Sequence, residues 1–457
     1  MSMINLHEML KATDVEERSL AEDRGKSEIR FGDLTTDAPF RAGVEYTPPA
    51  RGTWTIAHTP MLVPDSLEIY VCPEGCLRGV VLSAAEFDGL ARFAMITVKE
   101  HTLYDHHMEA LFIDGTTDIL ERRDSLPKVV FLFASCIHHM LATDMNYVYR
   151  TLRARFPDVK FVEANMDCTM RKSRIFYEEA VNRQLYVPLD PRPMDSSSVS
   201  VIGNYFPLFP GSEVCTMLQD AGLTLRDINT VKNYEEYQEL ACSSLYFYDH
   251  PMARVATETL AERLGGKSLY VPYCWDYSAI DQELKDLATA ASVPLPDLDS
   301  LREEAEKSLA ELREKIGDTE IQIDASATPR PLELAKLLLS HGFRVTAVYA
   351  DAISGEEANT RDWLKENAPD LKFRSIVNFR GRVNPRDEAE KAGGNLLAIG
   401  QKAAYFTGTR HFVNIIYQSG LLGYRGISEL CRLMADAMDN EKVTEEVIQF
   451  KAWGCHA

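Results

Sequence analysis

The chain has 457 residues, 45% of them hydrophobic and 26% charged, with a formal net charge of −20 from 49 basic and 69 acidic residues. These are ordinary globular proportions in a chain too long for one core, so about three domains of roughly 150 residues are expected. So acidic a chain lacks the basic face that nucleic acid or an anionic membrane surface selects, and no stretch approaches the ~18 uncharged apolar residues of a membrane span, so neither is expected as a partner.

Met1–Lys26 is rich in Glu and Asp and has no apolar signal core, which makes a cytoplasmic location the default. In that reducing setting the nine cysteines are not read as a disulfide framework. Residues 1–45 read as a polar N-terminal arm with one short helix. Val44–Trp54, with Pro48, Pro49 and Gly52, is a turn-rich entry segment. Beyond it, apolar runs of strand length alternate with helical patterns. The strand runs are Lys128–Ala134, Val159–Glu163, Val199–Gly203, Leu245–Tyr248, Ser268–Pro272, Glu320–Asp324, Arg344–Tyr349, Lys372–Val377, Leu396–Ile399 and Phe412–Tyr417. The helical stretches include Met145–Phe156, Ala253–Leu264, Pro331–His341 and Glu356–Asn367. Near-continuous apolar strands separated by helices predict α/β architecture, with parallel sheets flanked by helices.

Two breaks suggest boundaries. Pro188–Ser198 holds three prolines and three consecutive serines, and Pro294–Asp299 leads into the charged amphipathic stretch Leu301–Lys315. The predicted layout is therefore an arm at 1–45 and three Rossmann-like α/β domains. The first spans 46–195 and the second 196–300; 301–457 holds the linker helix, the third domain and C-terminal helices.

In open parallel sheets ligands bind beyond the carboxyl ends of the strands. Residues that follow the predicted strands are Cys136, Asn165, Cys168, Asn204, His250, Cys274, Asp351, Asn378 and Gln418. Ahead of them, VCPEGC spaces Cys72 and Cys76 across a Pro–Gly turn after the strand-like Leu67–Tyr70. Thiolates are soft donors that suit iron–sulfur clusters, zinc or copper(I), and Cys72, Cys76 and Cys136 would supply three of them. Zinc is the main rival, with His138 or His139 as fourth ligand, and buried structural thiols are the plain alternative. His250 is a candidate proton donor or metal ligand, its ordinary pKa lying near neutrality, and a hydrogen-bonded structural histidine before Pro251 is the plain alternative. Cys274, with Trp275 and Asp276, is a candidate to line the same pocket. No GxxxxGKS/T motif is present, so the chain holds no P-loop of its own.

At these residues the chain resembles the nitrogenase component 1 type oxidoreductases. VCPEGCLRGV resembles the glycine–cysteine turn that carries a cluster ligand there, and ASCIHHMLATDMNYVYRTL resembles the later cysteine at a strand end. ARGTWTIAHT resembles the segment of the first ligand. FVNIIYQSGLLGYRGISELCRLMADAM resembles the C-terminal strand, turn and helix. The resemblance implies a nitrogenase-like fold and an iron–sulfur cluster near a subunit interface of a homodimer or a pair with a paralogous subunit. It also implies an ATP-hydrolysing iron–sulfur protein as electron donor, and a second metallocofactor in some members. Thr53 stands where the family has its first ligand, and Cys72 is an added thiol four residues before the usual one. His250 and Asn414 stand near the Cys and His that hold the nitrogenase cofactor. These departures imply a simple 4Fe-4S cluster held by Cys72, Cys76 and Cys136, and a substrate other than dinitrogen. The expected function is a nitrogenase-like iron–sulfur reductase component. A metallocofactor assembly scaffold and a cluster-free α/β transferase are the alternatives.

Overall fold

The computed structural model describes residues 26–40, 56–86, 88–104, 107–166, 177–378, 381 and 386–443. Fourteen strands form three sheets among these residues. The first, in order β3-β2-β4-β5, consists of β2 (Ser66–Cys72), β3 (Phe93–Thr97), β4 (Val129–Ser135) and β5 (Lys160–Met166). The second, β7-β6-β8-β9, consists of β6 (Asp195–Val201), β7 (Thr224–Asp227), β8 (Ser243–Tyr248) and β9 (Lys267–Tyr270). The third runs β1-β12-β11-β10-β13-β14, with β1 (Glu28–Arg30), β10 (Glu320–Asp324), β11 (Arg344–Tyr349), β12 (Lys372–Arg374), β13 (Leu396–Ile399) and β14 (Phe412–Val413). All pairings are parallel except β1 with β12.

The central strands β2 (SLEIYVC) and β4 (VVFLFAS) are buried along their whole length. Helices cover both faces, so there is no solvent side on which alternation could appear. Glu68 is the exception inside β2: it is fully buried, accepts the Tyr70 hydroxyl at 3.0 Å, and burial pushes its pKa well above the usual carboxylate range. The arm expected at 1–45 contributes more than a short helix. Its Glu28–Arg30 forms an edge strand on the third sheet, fixed where Arg374 Nε donates to Glu28 at 2.6 Å. Arg374 also donates to Tyr349 Oη at 2.8 Å and Glu388 at 2.9 Å, so its buried charge is matched on every side.

The amphipathic segment after Pro294 is the helix Leu298–Ile316. It buries Leu301, Ala305, Leu309, Leu312 and Ile316 at helical spacing and packs along the C-terminal helix Gly423–Asp439. Asp297 caps its start and Gly317 its end. One continuous core joins these two helices to the second and third sheets. A separate core joins the first sheet to the second through Tyr70, Phe133, Ile202, Tyr246 and Leu260.

The expected strand Phe412–Tyr417 stops at Val413. Tyr417, Gln418, Ser419 and Gly420 instead take positive φ of 47°, 61°, 49° and 79°. Such a run costs roughly 1–2 kcal/mol for each residue with a Cβ. It is held by Tyr417 N–H donating to Ser326 O (2.9 Å), Gln418 N–H to Ala327 O (2.6 Å) and Phe209 N–H to Gly420 O (3.0 Å). The last bond ties the second and third sheets together. A Cβ at Gly420 would stand 2.2 Å from the Pro207 carbonyl oxygen. Gly420→Ala is therefore expected to lower stability by about 3 kcal/mol or more, read as a shift of the urea midpoint at constant slope. A change under about 0.5 kcal/mol would show that the turn yields freely.

Candidate functional site

Each sheet reverses its strand order once: between β2 and β4, between β6 and β8, and between β10 and β13. At such a reversal the chain leaves neighbouring strands toward opposite faces, and a crevice opens beyond their carboxyl ends.

At the first crevice β2 ends on Cys72. The β2–β4 register pairs Val71 with Ala134, so Cys72 is level with Ser135 and Cys136 is the next residue out. Pro73 turns the chain into the helix Glu74–Glu86, and Cys76 N–H donates to Pro73 O at 2.9 Å in its first turn. Cys72 is buried, Cys136 half-buried and Cys76 exposed. Burial and the adjacent Cys76 push the Cys72 thiol up to about 12. Cys136 opens the short helix Cys136–Met140, where His138 Nδ1 turns back to the Ser135 carbonyl and the His138 and His139 rings lie 3.9 Å apart. Nothing lies within 4 Å of a Cβ placed at Gly75 or Gly79, and Met140 is 79% exposed, so this crevice opens onto the surface.

The structure thus brings Cys72 and Cys76 together and sets Cys136 on the neighbouring strand end. Among the described residues, no set of three or more His, Cys, Asp or Glu side chains is arranged to hold a metal ion. In kind the donors suit an iron–sulfur cluster: soft sulfur from adjacent strand ends, beside a surface where another subunit could add a ligand. Thr53 and Cys168 lie outside the described residues.

The second crevice is polar and closed. Beyond β6 lie Gly203, Asn204 and Tyr205; beyond β8 lie Asp249 and His250; beyond β9 lies Tyr273. His250 Nε2 donates to Gly203 O at 2.8 Å, while Nδ1 has no partner. Burial lowers the His250 pKa, against the opposing pull of that carbonyl and of Glu178, so the ring is held neutral. It stacks with Tyr205 and Tyr417 at centroid distances of 5.2 and 5.8 Å. Asp249 is 1% exposed, and neither of its oxygens has a hydrogen bond of good geometry. Burial pushes its pKa up to about 7, with Tyr273 restraining the rise. Cys274 faces Glu283 instead, where burial raises its thiol pKa, so Tyr273 is the residue of that segment beside Asp249. Trp275 is bound to Glu333 and Thr328, and Asp276 caps the helix Tyr277–Ala291. Sequence reasoning found His250 and Asn204 as strand-end residues but passed over Asp249, although the pair Asp249–His250 before Pro251 marks the strand end as a unit.

The third crevice is filled by the chain itself. Asp324, fully buried, accepts Ser326 N–H at 2.8 Å and Ala403 N–H at 2.9 Å, capping the helix Gln401–Thr407. A hollow of about 520 Å³ lies at the opposite, amino ends of β10–β12, where Arg374 and its carboxylates are already matched.

Three doubly wound sheets, with thiols at one strand reversal and an acid–imidazole pair at the next, define an α/β scaffold with two candidate sites. Residues 117–439 match the family described as nitrogenase component 1 type oxidoreductase, and the chain belongs to that family. Two solved structures share its fold. "Nitrogenase Cp1 at pH 6.5" is 13% identical with TM-score 0.64, covering 94% of this chain and 96% of that one. "Nitrogenase Cp1 at pH 5" is 12% identical with TM-score 0.59, covering 95% and 97%. Among curated proteins, sequence comparison finds no match. Among the described residues, no helix is long and apolar enough to cross a membrane.

Asp249 has a testable signature. Its carboxyl moves from an ordinary 3.8 up to about 7 on folding, so the folded state binds the proton more tightly than the unfolded chain. The associated stability is whole below about pH 4 and is lost as pH rises through 7, a term of up to about 4 kcal/mol. Asp249→Asn should remove that slope, gaining on the parent protein from about pH 5 to 8 in urea denaturation. Parallel pH profiles would show that Asp249 does not retain its proton.

Proposed function

We propose that this chain is the substrate-reducing component of a nitrogenase-like iron–sulfur oxidoreductase, with a 4Fe-4S cluster held by Cys72, Cys76 and Cys136. The observation that carries the reading is the placement of Cys72 and Cys136 at the ends of adjacent strands flanking the first reversal, with Cys76 one turn beyond. A cluster there would accept and release single electrons at low potential. The chain's own residues would do the rest. Cys72, buried and weakly acidic, ionises only against bound metal, which couples cluster loading to proton release. The exposed Cys76 turn leaves room for a ligand from a second copy or a paralogous subunit, and for docking of an ATP-hydrolysing iron–sulfur reductase. His250, stacked against both Tyr205 and Tyr417, would orient substrate and move protons at the second crevice. A scaffold that holds a nascent metallocofactor would use the same thiols but would not need the buried acid–imidazole pair.

Anaerobically purified protein should be brown, with about four irons per cluster and a broad visible band that bleaches with dithionite. Cys136→Ala should lose most of that iron while keeping its far-UV circular dichroism. Iron-free wild-type protein after anaerobic reconstitution, or full iron retention in Cys136→Ala, would overturn the assignment. ATP-dependent turnover with an added iron–sulfur reductase would separate reductase from scaffold.

A further inference from the structure

We propose that the crevice between β6 and β8 binds a cationic nitrogen group, an ammonium or amidinium carried by a small molecule. Identifying that molecule as the substrate rests on the reductase reading; the binding itself does not.

The argument starts from unspent hydrogen-bonding capacity. Five buried atoms around this crevice make no hydrogen bond of good geometry: Asp249 Oδ1 and Oδ2, His250 Nδ1, Asn204 Oδ1 and Asn182 Oδ1. The Tyr273 hydroxyl, turned toward Asp249, is the one side-chain donor acting on the carboxyl. Their residues are at most 2% exposed. The donors of the same side chains are already used. Asn182 Nδ2 donates to Tyr205 Oη at 2.9 Å, Asn204 Nδ2 to Phe206 O at 2.9 Å, and His250 Nε2 to Gly203 O at 2.8 Å. With Nε2 carrying the proton, Nδ1 is a bare lone pair, and once Asp249 loses its proton, near pH 7, all five atoms are acceptors.

The residues form one neighbourhood. His250 is bonded to Gly203, and Asn182 Oδ1 lies 3.7 Å from where a Gly203 Cβ would be. Asn204 is the next residue, and Asp249 Oδ1 is 4.0 Å from His250 Nε2. Each buried acceptor left unmade costs on the order of 1–3 kcal/mol, so five together call for an occupant that brings donors.

Charge and shape narrow the occupant. The side chains acting on Asp249 are Tyr273 and Asp227, and no cation is among them. Asp227 is itself spent on Asn229 and the Leu208 N–H. His250 stacks on Tyr205 and on Tyr417, which are tilted 46° to one another, so three aromatic rings cluster here at 5.0–5.8 Å spacing. Acceptors, one carboxylate with no cation acting on it and aromatic rings are the elements that recognise a nitrogen cation. Affinity should rise with pH as Asp249 ionises. The groups facing Asp249 are Asp227 after β7, Tyr205 after β6, Tyr273 after β9, Tyr186 from the helix Tyr177–Tyr186, and the adjoining neutral His250.

The test uses the full chain and primary ammonium ions from methylammonium to benzylammonium, each paired with the matching neutral alcohol. Binding is read by saturation-transfer NMR and calorimetry at about pH 6 and 8. The expected result is at least about tenfold preference for the ammonium member of a pair, growing with pH. Asp249→Asn should abolish the preference, and Cys136→Ser should leave it intact. Asn204→Ala, which removes an acceptor without touching the carboxylate, should weaken it by a few fold if Asp249→Asn does not fold. Equal affinity for alcohol and ammonium, no binding of any pair, or preference surviving Asp249→Asn would overturn the proposal. Iron content reports on the reductase reading separately, so either can fail alone.

Discussion

Parallel strands must be joined by crossovers, and crossovers in one sheet share a hand. A sheet that grows from its first strand in both directions therefore sends chain off opposite faces at one point, leaving a crevice its own connections cannot fill. This protein meets that constraint three times, and its chemistry follows from what the sequence puts at each crevice. Between β2 and β4 it puts sulfur; between β6 and β8, oxygen and nitrogen acceptors. Between β10 and β13 it puts Asp324, which turns the crevice into a helix cap. At Gly400 an added Cβ would come within 2.2 Å of the Asp324 carboxylate, so no room for a ligand is left there. One topology yields two candidate sites and one structural joint, and the side chains decide which.

The joint matters because the second crevice is walled in part by the third sheet. Tyr417 reaches His250 and Tyr205 only because the chain after β14 turns left-handed for four residues instead of continuing as strand. A left-handed run in residues with side chains survives only where surrounding contacts over-determine it. Here they do: the Ser326 and Ala327 carbonyls take its amides, Gln418 is held at both ends by Thr328 and the Leu421 carbonyl, and Phe209 takes the last carbonyl. The strained segment is thus also the one that closes an aromatic wall over the buried acid–imidazole pair.

Much of this was legible in the residues. β10, β11 and β13 have the bounds that their runs suggest: LLAI is continuously apolar, and the apolar residues of EIQID and RVTAVY mark the other two although Gln322 and Thr346 interrupt them. The strands that were not legible are short or partly exposed. TLRD at β7 and FAMIT at β3 are partly exposed, and EIR at β1 becomes a strand only because it meets Arg374, far along the chain. The left-handed turn hid behind an apolar run, since nothing in NIIYQS announces positive φ. For the candidate sites, the residue after each strand puts Cys136 and His250 at strand ends, which is where the structure has them. It missed Asp249 because whether a carboxylate is paired depends on what other strands bring to it. It favoured Cys274 over Tyr273 because neighbouring residues after a strand can face different surroundings, which the sequence alone does not show.

The two candidate crevices differ in a way that bears on any reductive chemistry between them. The thiol crevice borders the surface, whereas the acid–imidazole crevice is shut away. Between their sheets lies an apolar core containing Tyr70, Phe133, Ile202 and Tyr246, with Tyr70 and Phe133 stacked at 4.3 Å. An electron can tunnel through such packing, but a proton cannot cross it without titratable groups to carry it. In the reductase reading, protons must therefore reach the second crevice by a route of their own. Glu178, whose charge acts on His250, begins the helix Tyr177–Tyr186 that borders the crevice. Separate entry for electrons and protons is then a consequence of where the apolar core lies, whatever substrate is finally reduced.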